Sequence, residues 1–145
     1  GRPAGAEAGF PVVRLIHLGS DVVETARIRA SIEKFGDRFL RRVFGEGELA
    51  YAMSMPKPEL HLAARFAAKE AVSKAFGTGI GEQLGWQDVQ IARAAGGQPY
   101  VVLSDRGKAL AARMGGDHVL VSLTHTEHYA AAQAALVRRE EGEVA

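Results

Sequence analysis

Cysteine is absent from the 145 residues, so the chain has no disulfide framework, no thiolate metal site and no thiol nucleophile. Long apolar runs are missing as well. No stretch approaches the roughly 18 consecutive apolar residues of a membrane-spanning helix, and no membrane partner is expected. Net charge is almost nil at +1, which gives no global argument for a nucleic-acid partner. With neither staple nor secretory signal, the expected location is cytoplasmic. What remains is an ordinary globular balance, 47% hydrophobic and 24% charged, in a chain long enough for one domain with a sizeable core and too short for two full domains.

The most distinctive stretch is RFAAKEAVSKAFGTGIG, Arg65 to Gly81. Leu60 to Phe76 contains neither Gly nor Pro, Ala recurs, and Pro58 stands where a first helical turn tolerates it, which predicts a helix. On a 3.6-residue wheel Ala63, Ala64, Ala67, Ala68, Ala71, Val72 and Ala75 share one half. Arg65, Lys69, Glu70, Ser73 and Lys74 share the other. The small-residue half lets another element approach closely. Glu70 and Lys74, at i,i+4, are oriented to stabilise an exposed helix without any further role. Phe66 in the middle of the charged half suits a groove or an interface better than open water. The exit through Gly77, Thr78, Gly79, Ile80 and Gly81 offers backbone N–H groups to an anion. It lies at a helix C-terminus, however, so a phosphate there needs Lys, Arg or a metal ion to offset the dipole.

Taken in order, Gly1 to Phe10 reads as a flexible leader without periodicity. Pro11 to Leu18 reads as a buried strand ended by Gly19, Ser20 and Asp21, with Asp21 either a functional carboxylate or the cap of the next helix. Val22 to Phe44 reads as two helices hinged at Gly36 and Asp37. The apolar stripe of the first is Ile28, Ile32 and Phe35, and that of the second Phe39, Leu40 and Val43. From Arg27 to Arg42 six basic residues (Arg27, Arg29, Lys34, Arg38, Arg41, Arg42) face two acids, either a solvated surface or a docking surface for an acidic partner. A short helix is expected near Glu48 to Met53. A hairpin is expected around Ala95 to Gln98, then an N-capped helix from Asp105 to Met114 closed by Gly115 and Gly116. His118 to Thr126 and Tyr129 to Val137 read as a last strand pair joined through Glu127 and His128. The domain is expected to span residues 11–138, with a charged tail over 139–145.

Two constellations bear on chemistry. HTEH, with His125, Glu127 and His128, invites a zinc reading, but its spacing is not that of a metal-binding helix and a third ligand motif is missing. His17, His61 and His118 look isolated. The alternative is a hard-cation site, because Mg²⁺ takes only one or two protein carboxylates and leaves the rest to phosphate oxygens and water. Asp21 and Glu70 can supply that pair, and Lys74, one turn beyond Glu70, can neutralise charge on a phosphate.

Four motifs in order are similar to those of the holo-acyl-carrier-protein synthases, the small single-domain 4′-phosphopantetheinyl transferases. They are Gly19, Ser20, Asp21, Val22, Val23, Glu24 with Arg27 following; RFAAKEAVSKAFGTGIG; Gly97, Gln98, Pro99; and VSLTHTEHYAAA from Val121. The likeness runs from Val13 to Val137. It implies an α+β fold with an antiparallel sheet packed on a long helix, assembled as a homotrimer with active sites at subunit interfaces. It also implies a transferase that moves the 4′-phosphopantetheine arm of coenzyme A to a serine of apo-acyl carrier protein, for fatty-acid or polyketide synthesis. Adenosine 3′,5′-bisphosphate is the product released, and Mg²⁺ is required.

By the same resemblance Asp21 and Glu70 hold the metal and Lys74 serves the reacting pyrophosphate. Arg65, Ser73, Gly77, Pro99, His125 and Thr126 correspond to the coenzyme A pocket, with Arg65 and His125 near the 3′-phosphate, and Arg27 contacts the acidic acyl carrier protein. Two positions depart from the family pattern. His17 stands where a small residue is usual, and Gln98 replaces a lysine, removing a charge near the nucleotide. The competing readings are a non-catalytic module that binds an acidic partner through its basic helices, and a zinc hydrolase built on HTEH.

Overall fold

The first strand is longer than its sequence advertises. In the computed structural model, which describes residues 12–140, β1 (Val12–Glu24) pairs antiparallel with β5 (Tyr129–Glu140). Gly19, Ser20 and Asp21, expected to end the strand, sit opposite Ala134, Gln133 and Ala132 in continuous register. A partner strand of matching length overrides the local turn preference of Gly-Ser-Asp, so Asp21 is held in a ladder and is neither a loop residue nor a helix cap. The register shifts once, between Leu15 and His17, where Ile16 forms a bulge. β4 (His118–His125) completes a sheet of order β1-β5-β4. Its link to β5 is the expected tight turn, in which the Thr126 N–H donates to the Tyr129 carbonyl at 2.8 Å. β5 runs past the expected domain end, pairing Glu140 with Val12. The leader over residues 1–10, Pro11 and the end of the tail over 141–145 lie outside the described residues.

Because Val22, Val23 and Glu24 still pair with β5, α1 (Thr25–Phe35) begins three residues later than the sequence indicated. Its first N–H, of Thr25, donates to the His128 carbonyl at 2.8 Å, tying the helix to the β4–β5 turn. Gly36 breaks it from α2 (Asp37–Val43) as expected; its φ of +56° is open to glycine at little cost, and its N–H satisfies the Ile32 carbonyl. α3 (Glu46–Met53) and α4 (Pro58–Ala75) follow, then a hairpin of β2 (Val89–Arg93) and β3 (Pro99–Leu103). α5 (Asp105–Arg113) starts from Ser104, whose Oγ accepts from the Gly107 N–H at 3.0 Å.

The core lies between α4 and one face of the large sheet. Ala63, Ala64, Ala67, Ala68, Ala71, Val72 and Ala75 are all buried, and so are Ala130, Ala132 and Ala134 on β5. Alanine against alanine brings helix and sheet unusually close. At Gly19 the approach is complete: a Cβ there would fall 2.0 Å from the Ala71 carbonyl oxygen and 2.5 Å from the Ala75 nitrogen. The end of α4 therefore rests on β1, while its start reaches β4, where His61 stands edge-on to His125 at 5.2 Å. The helix crosses the sheet from β4 to β1.

The charged half of α4 is not a solvent face. Lys69 is fully buried, its ammonium 2.8 Å from Glu48 Oε1 and donating to the carbonyls of Trp86 and Val89. Phe66 finds partners within the chain, its ring centroid 4.9 Å from Trp86 and 6.4 Å from Phe39. Those contacts account for an aromatic among charges without a ligand. The opposite face of the large sheet is the apolar surface left open, with Leu18 and Val22 of β1 and Leu120 of β4 exposed.

Candidate functional site

Asp21 sits on the helix-facing side of β1, two residues along from Gly19. That position brings it to the last turn of α4, where Lys74 Nζ donates to Asp21 Oδ1 at 3.0 Å. The lysine thus bridges to the strand and not to Glu70, the partner its i,i+4 spacing suggested. Glu70, one turn earlier and half-buried, has a carboxyl held above the usual carboxylate range. Burial is the main cause and the negative charge of Asp21 the second, while Lys74 and Arg27 pull the other way. The pair sets two carboxylates on two rigid elements, with Lys74 and Arg27 as the neighbouring cations. Hard oxygen donors in that number suit a Mg²⁺ ion, which completes its shell with water and phosphate oxygens.

A second cluster gathers at the other end of α4. Arg65 is 3% exposed, its Nε has no hydrogen-bond partner among the described residues, and one Nη contacts the His61 carbonyl at a long 3.4 Å. Its guanidinium lies 4.4 Å from the ring centroid of Tyr51, over which Arg93 also sits at 4.8 Å. His61 touches the same ring at 5.6 Å and His125 at 5.2 Å. Arg65 and Glu70 are five residues apart, about 7.5 Å of helix rise. Asp21 and His125 share one sheet face, two strands and one side-chain row apart, which is roughly 12 Å. The two clusters therefore lie about a dozen ångströms apart at most along the same helix and sheet.

The other expected residues are placed as follows. Ser73 is buried with its hydroxyl donating to the Glu70 carbonyl at 2.6 Å, and its own carbonyl accepts from the Thr78 and Gly79 N–H groups. Gly77 has φ +77° and closes α4 through a bond to the Lys74 carbonyl, so the Gly-rich exit begins as a helix C-terminus. Pro99 opens β3, as expected, opposite Arg93. Thr126 uses its hydroxyl in the β4–β5 turn, accepting from the Tyr129 N–H at 3.2 Å. Arg27, on α1, is exposed and close enough to lower the Glu70 pKa.

Known proteins share this chain's sequence and fold. Residues 17–134 match the family model ACPS, the 4′-phosphopantetheinyl transferase superfamily. The holo-[acyl-carrier-protein] synthase of Protochlamydia amoebophila is 46% identical over 115 residues, covering 79% of this chain and 92% of that one. The chain belongs to the holo-[acyl-carrier-protein] synthase family. Among solved structures, the Neisseria meningitidis synthase superposes with a TM-score of 0.78 at 31% identity, over 88% of this chain and 99% of that one. The Helicobacter pylori synthase in complex with coenzyme A gives 0.72 at 28% identity, over 85% and 99%.

Within this synthase fold, three residues of the second cluster carried no signal in the sequence. In the sequence His61 looks isolated, and Tyr51 and Arg93 belong to no motif. They meet Arg65 and His125 only because α3, α4, β2 and β4 converge. Glu48 and Lys69 went unnoticed as a pair for the same reason. The Glu48 carboxylate also accepts from the N–H groups of Gly45 and Ile91, so every strong hydrogen-bonding demand of the buried pair is met.

Proposed function

We propose that the chain transfers the 4′-phosphopantetheine arm of coenzyme A to a serine hydroxyl of apo-acyl carrier protein at the Asp21–Glu70–Lys74 centre. The observation that carries this reading is the meeting of two carboxylates and a lysine between β1 and α4. The serine oxygen attacks the phosphorus that bears the pantetheine arm, the pyrophosphate P–O bond breaks, and adenosine 3′,5′-bisphosphate departs as the hydroxyl proton is released. Such a reaction asks the protein mainly for positioning and charge stabilisation. Asp21 and Glu70 would hold the Mg²⁺ ion, which when bound supplies Lewis-acid stabilisation of the pyrophosphate oxygens. Lys74 neutralises charge on the departing phosphate. Arg65, His125 and Thr126, with Ser73, Gly77 and Pro99 shaping the walls, receive the nucleotide end.

Arg27 lies beside this centre on α1, and Arg38, Arg41 and Arg42 extend the basic surface along α2. An acidic carrier docked there brings its serine toward Glu70. The exposed Leu18, Val22 and Leu120 face supports self-association, and the homotrimer of the family, with sites completed between subunits, is the assembly we infer. No helix among the described residues is long and apolar enough to cross a membrane, in keeping with a protein that works in the cytoplasm.

Intact-mass spectrometry tests the transfer directly. Apo-acyl carrier protein incubated with the chain, coenzyme A and Mg²⁺ is expected to gain one phosphopantetheine. Absence of that addition across several carrier proteins sinks the reading in favour of a binding module.

A further inference from the structure

The basic helix α2 is weakly held by its own sequence. It is 7 residues long, a length that does not persist in water without tertiary support, and exposed Arg38 repels both Arg41 and Arg42 one turn on. No side chain caps its N-terminus at Gly36. Its C-terminus is different. The Gln87 side-chain amide donates from Nε2 to the carbonyls of Arg41 at 2.9 Å, Phe44 at 3.0 Å and Arg42 at 3.3 Å, satisfying oxygens that a helix end leaves open. Gln90 fixes which way that amide faces. Its own Nε2 donates to Gln87 Oε1 at 3.0 Å, which leaves the nitrogen of Gln87 for the carbonyls.

Gln87 lies in a single 3-10 turn, Trp86–Asp88, and that turn is anchored from behind. Lys69 Nζ donates to the Trp86 carbonyl at 3.0 Å and to the Val89 carbonyl at 2.7 Å, on either side of Gln87. Lys69 is buried, pinned by Glu48, and immediately precedes Glu70 on α4. Phe66 adds a second tie, its ring lying against Trp86 of the turn and Phe39 of α2. A short run of contacts thus leads from the α2 carbonyls through Gln87 and the turn to Lys69 beside Glu70.

We propose that Gln87 is a positioning residue for the carrier protein: by capping α2 it holds Arg38, Arg41 and Arg42 in the orientation that delivers the carrier's serine to Glu70. The proposal rests on the reading of α2 as the carrier-docking surface. Without the cap the last turn of α2 frays and its guanidiniums spread over many orientations. The cost of reordering them then falls on carrier association and not on coenzyme A binding.

Fluorescence anisotropy with labelled apo-acyl carrier protein, alongside steady-state transfer rates, tests this. Gln87→Met keeps the length of the side chain and removes its donors. It should weaken carrier binding about fivefold, the scale of one lost hydrogen bond, raise the carrier KM by a similar factor, and leave the KM for coenzyme A within about twofold. Gln87→Glu, which sets a carboxylate against the three carbonyls, should weaken carrier binding further. Amide hydrogen exchange in Gln87→Met should quicken in α2 and not in α4. In an Arg38→Gln, Arg42→Gln background, where carrier binding is already weakened, adding Gln87→Met should cost less than about twofold more, because the surface it positions is gone. Unchanged carrier affinity in both Gln87 variants, equal rises in the two KM values, or a fully additive loss in the triple variant overturns the role of Gln87. Carrier binding indifferent to the two arginine substitutions overturns the docking reading itself, and this proposal with it. A chain that binds the carrier as expected but transfers nothing refutes the transferase reading alone.

Discussion

Lys74 donates to Asp21 across 53 residues of sequence, Nζ to Oδ1 at 3.0 Å, and so joins the end of α4 to the middle of β1. The lysine is thus paired with one of the two carboxylates that would hold Mg²⁺. Lys74→Met should therefore bind Mg²⁺ at least as tightly as the unchanged chain, while transferring the arm about a hundredfold more slowly, the scale of losing one stabilising charge at a developing anion. Metal-ion titration and steady-state rates check the two halves separately. Weaker Mg²⁺ binding in the variant would contradict the competition.

Asp21→Asn and Glu70→Gln should each abolish Mg²⁺-dependent transfer with the circular dichroism spectrum intact. Both replace a charged oxygen donor by a neutral one of the same shape. Near-normal rates in both would show the metal assignment to be wrong.

Gly19→Ala tests the contact between strand and helix. The added methyl meets backbone atoms of Ala71 and Ala75, which cannot rotate aside, so α4 must lift from β1. A loss of about 1–3 kcal/mol in urea denaturation is expected. The transfer rate should fall by more than Asp21's distance from the substitution would suggest, because Asp21 moves relative to Glu70.

Asp88 gives a pH signature of stability. Burial raises its pKa, but the Ser104 hydroxyl, the Gly85 N–H and Arg106 together outweigh this and leave it lowered. Its hydrogen bonds to Ser104, Gly85 and Arg106 are 2.7 Å each. A depressed folded pKa means stability that is fully present above the unfolded value, about 3.9, and lost as pH falls through the folded value. Asp88→Asn should cost about 1–2 kcal/mol at pH 7 by chemical denaturation, with the gap to the unchanged chain narrowing below pH 4. A gap that stays constant to pH 3 would count against the carboxylate's role.

Arg27→Glu should raise the KM for carrier protein far more than that for coenzyme A, and added salt should weaken the same step. Equal effects on both substrates would remove the docking surface from α1.

The long helix was legible because its apolar period is strict and no breaker interrupts it. The Ala-rich β5 was legible from context, with a strand and a tight turn before it. Asp21 lies inside the strand and not beyond its end, since Gly-Ser-Asp has turn chemistry and only the length of β5 keeps it in the sheet. Lys69 illustrates a harder limit. A lysine on a helical wheel belongs to the polar half by every local rule, and nothing near it in sequence announces a carboxylate 21 residues earlier that is buried with it.

The sequence by itself determined the elements and the motif residues, because helical and strand periods and glycine conformations are properties of neighbours in the chain. Which charges meet was decided only by tertiary structure. Close alanine packing sets α4 diagonally across the sheet, with Lys74 at Asp21 and His61 at His125, and electrostatic pairing depends on those few ångströms between elements far apart in the chain.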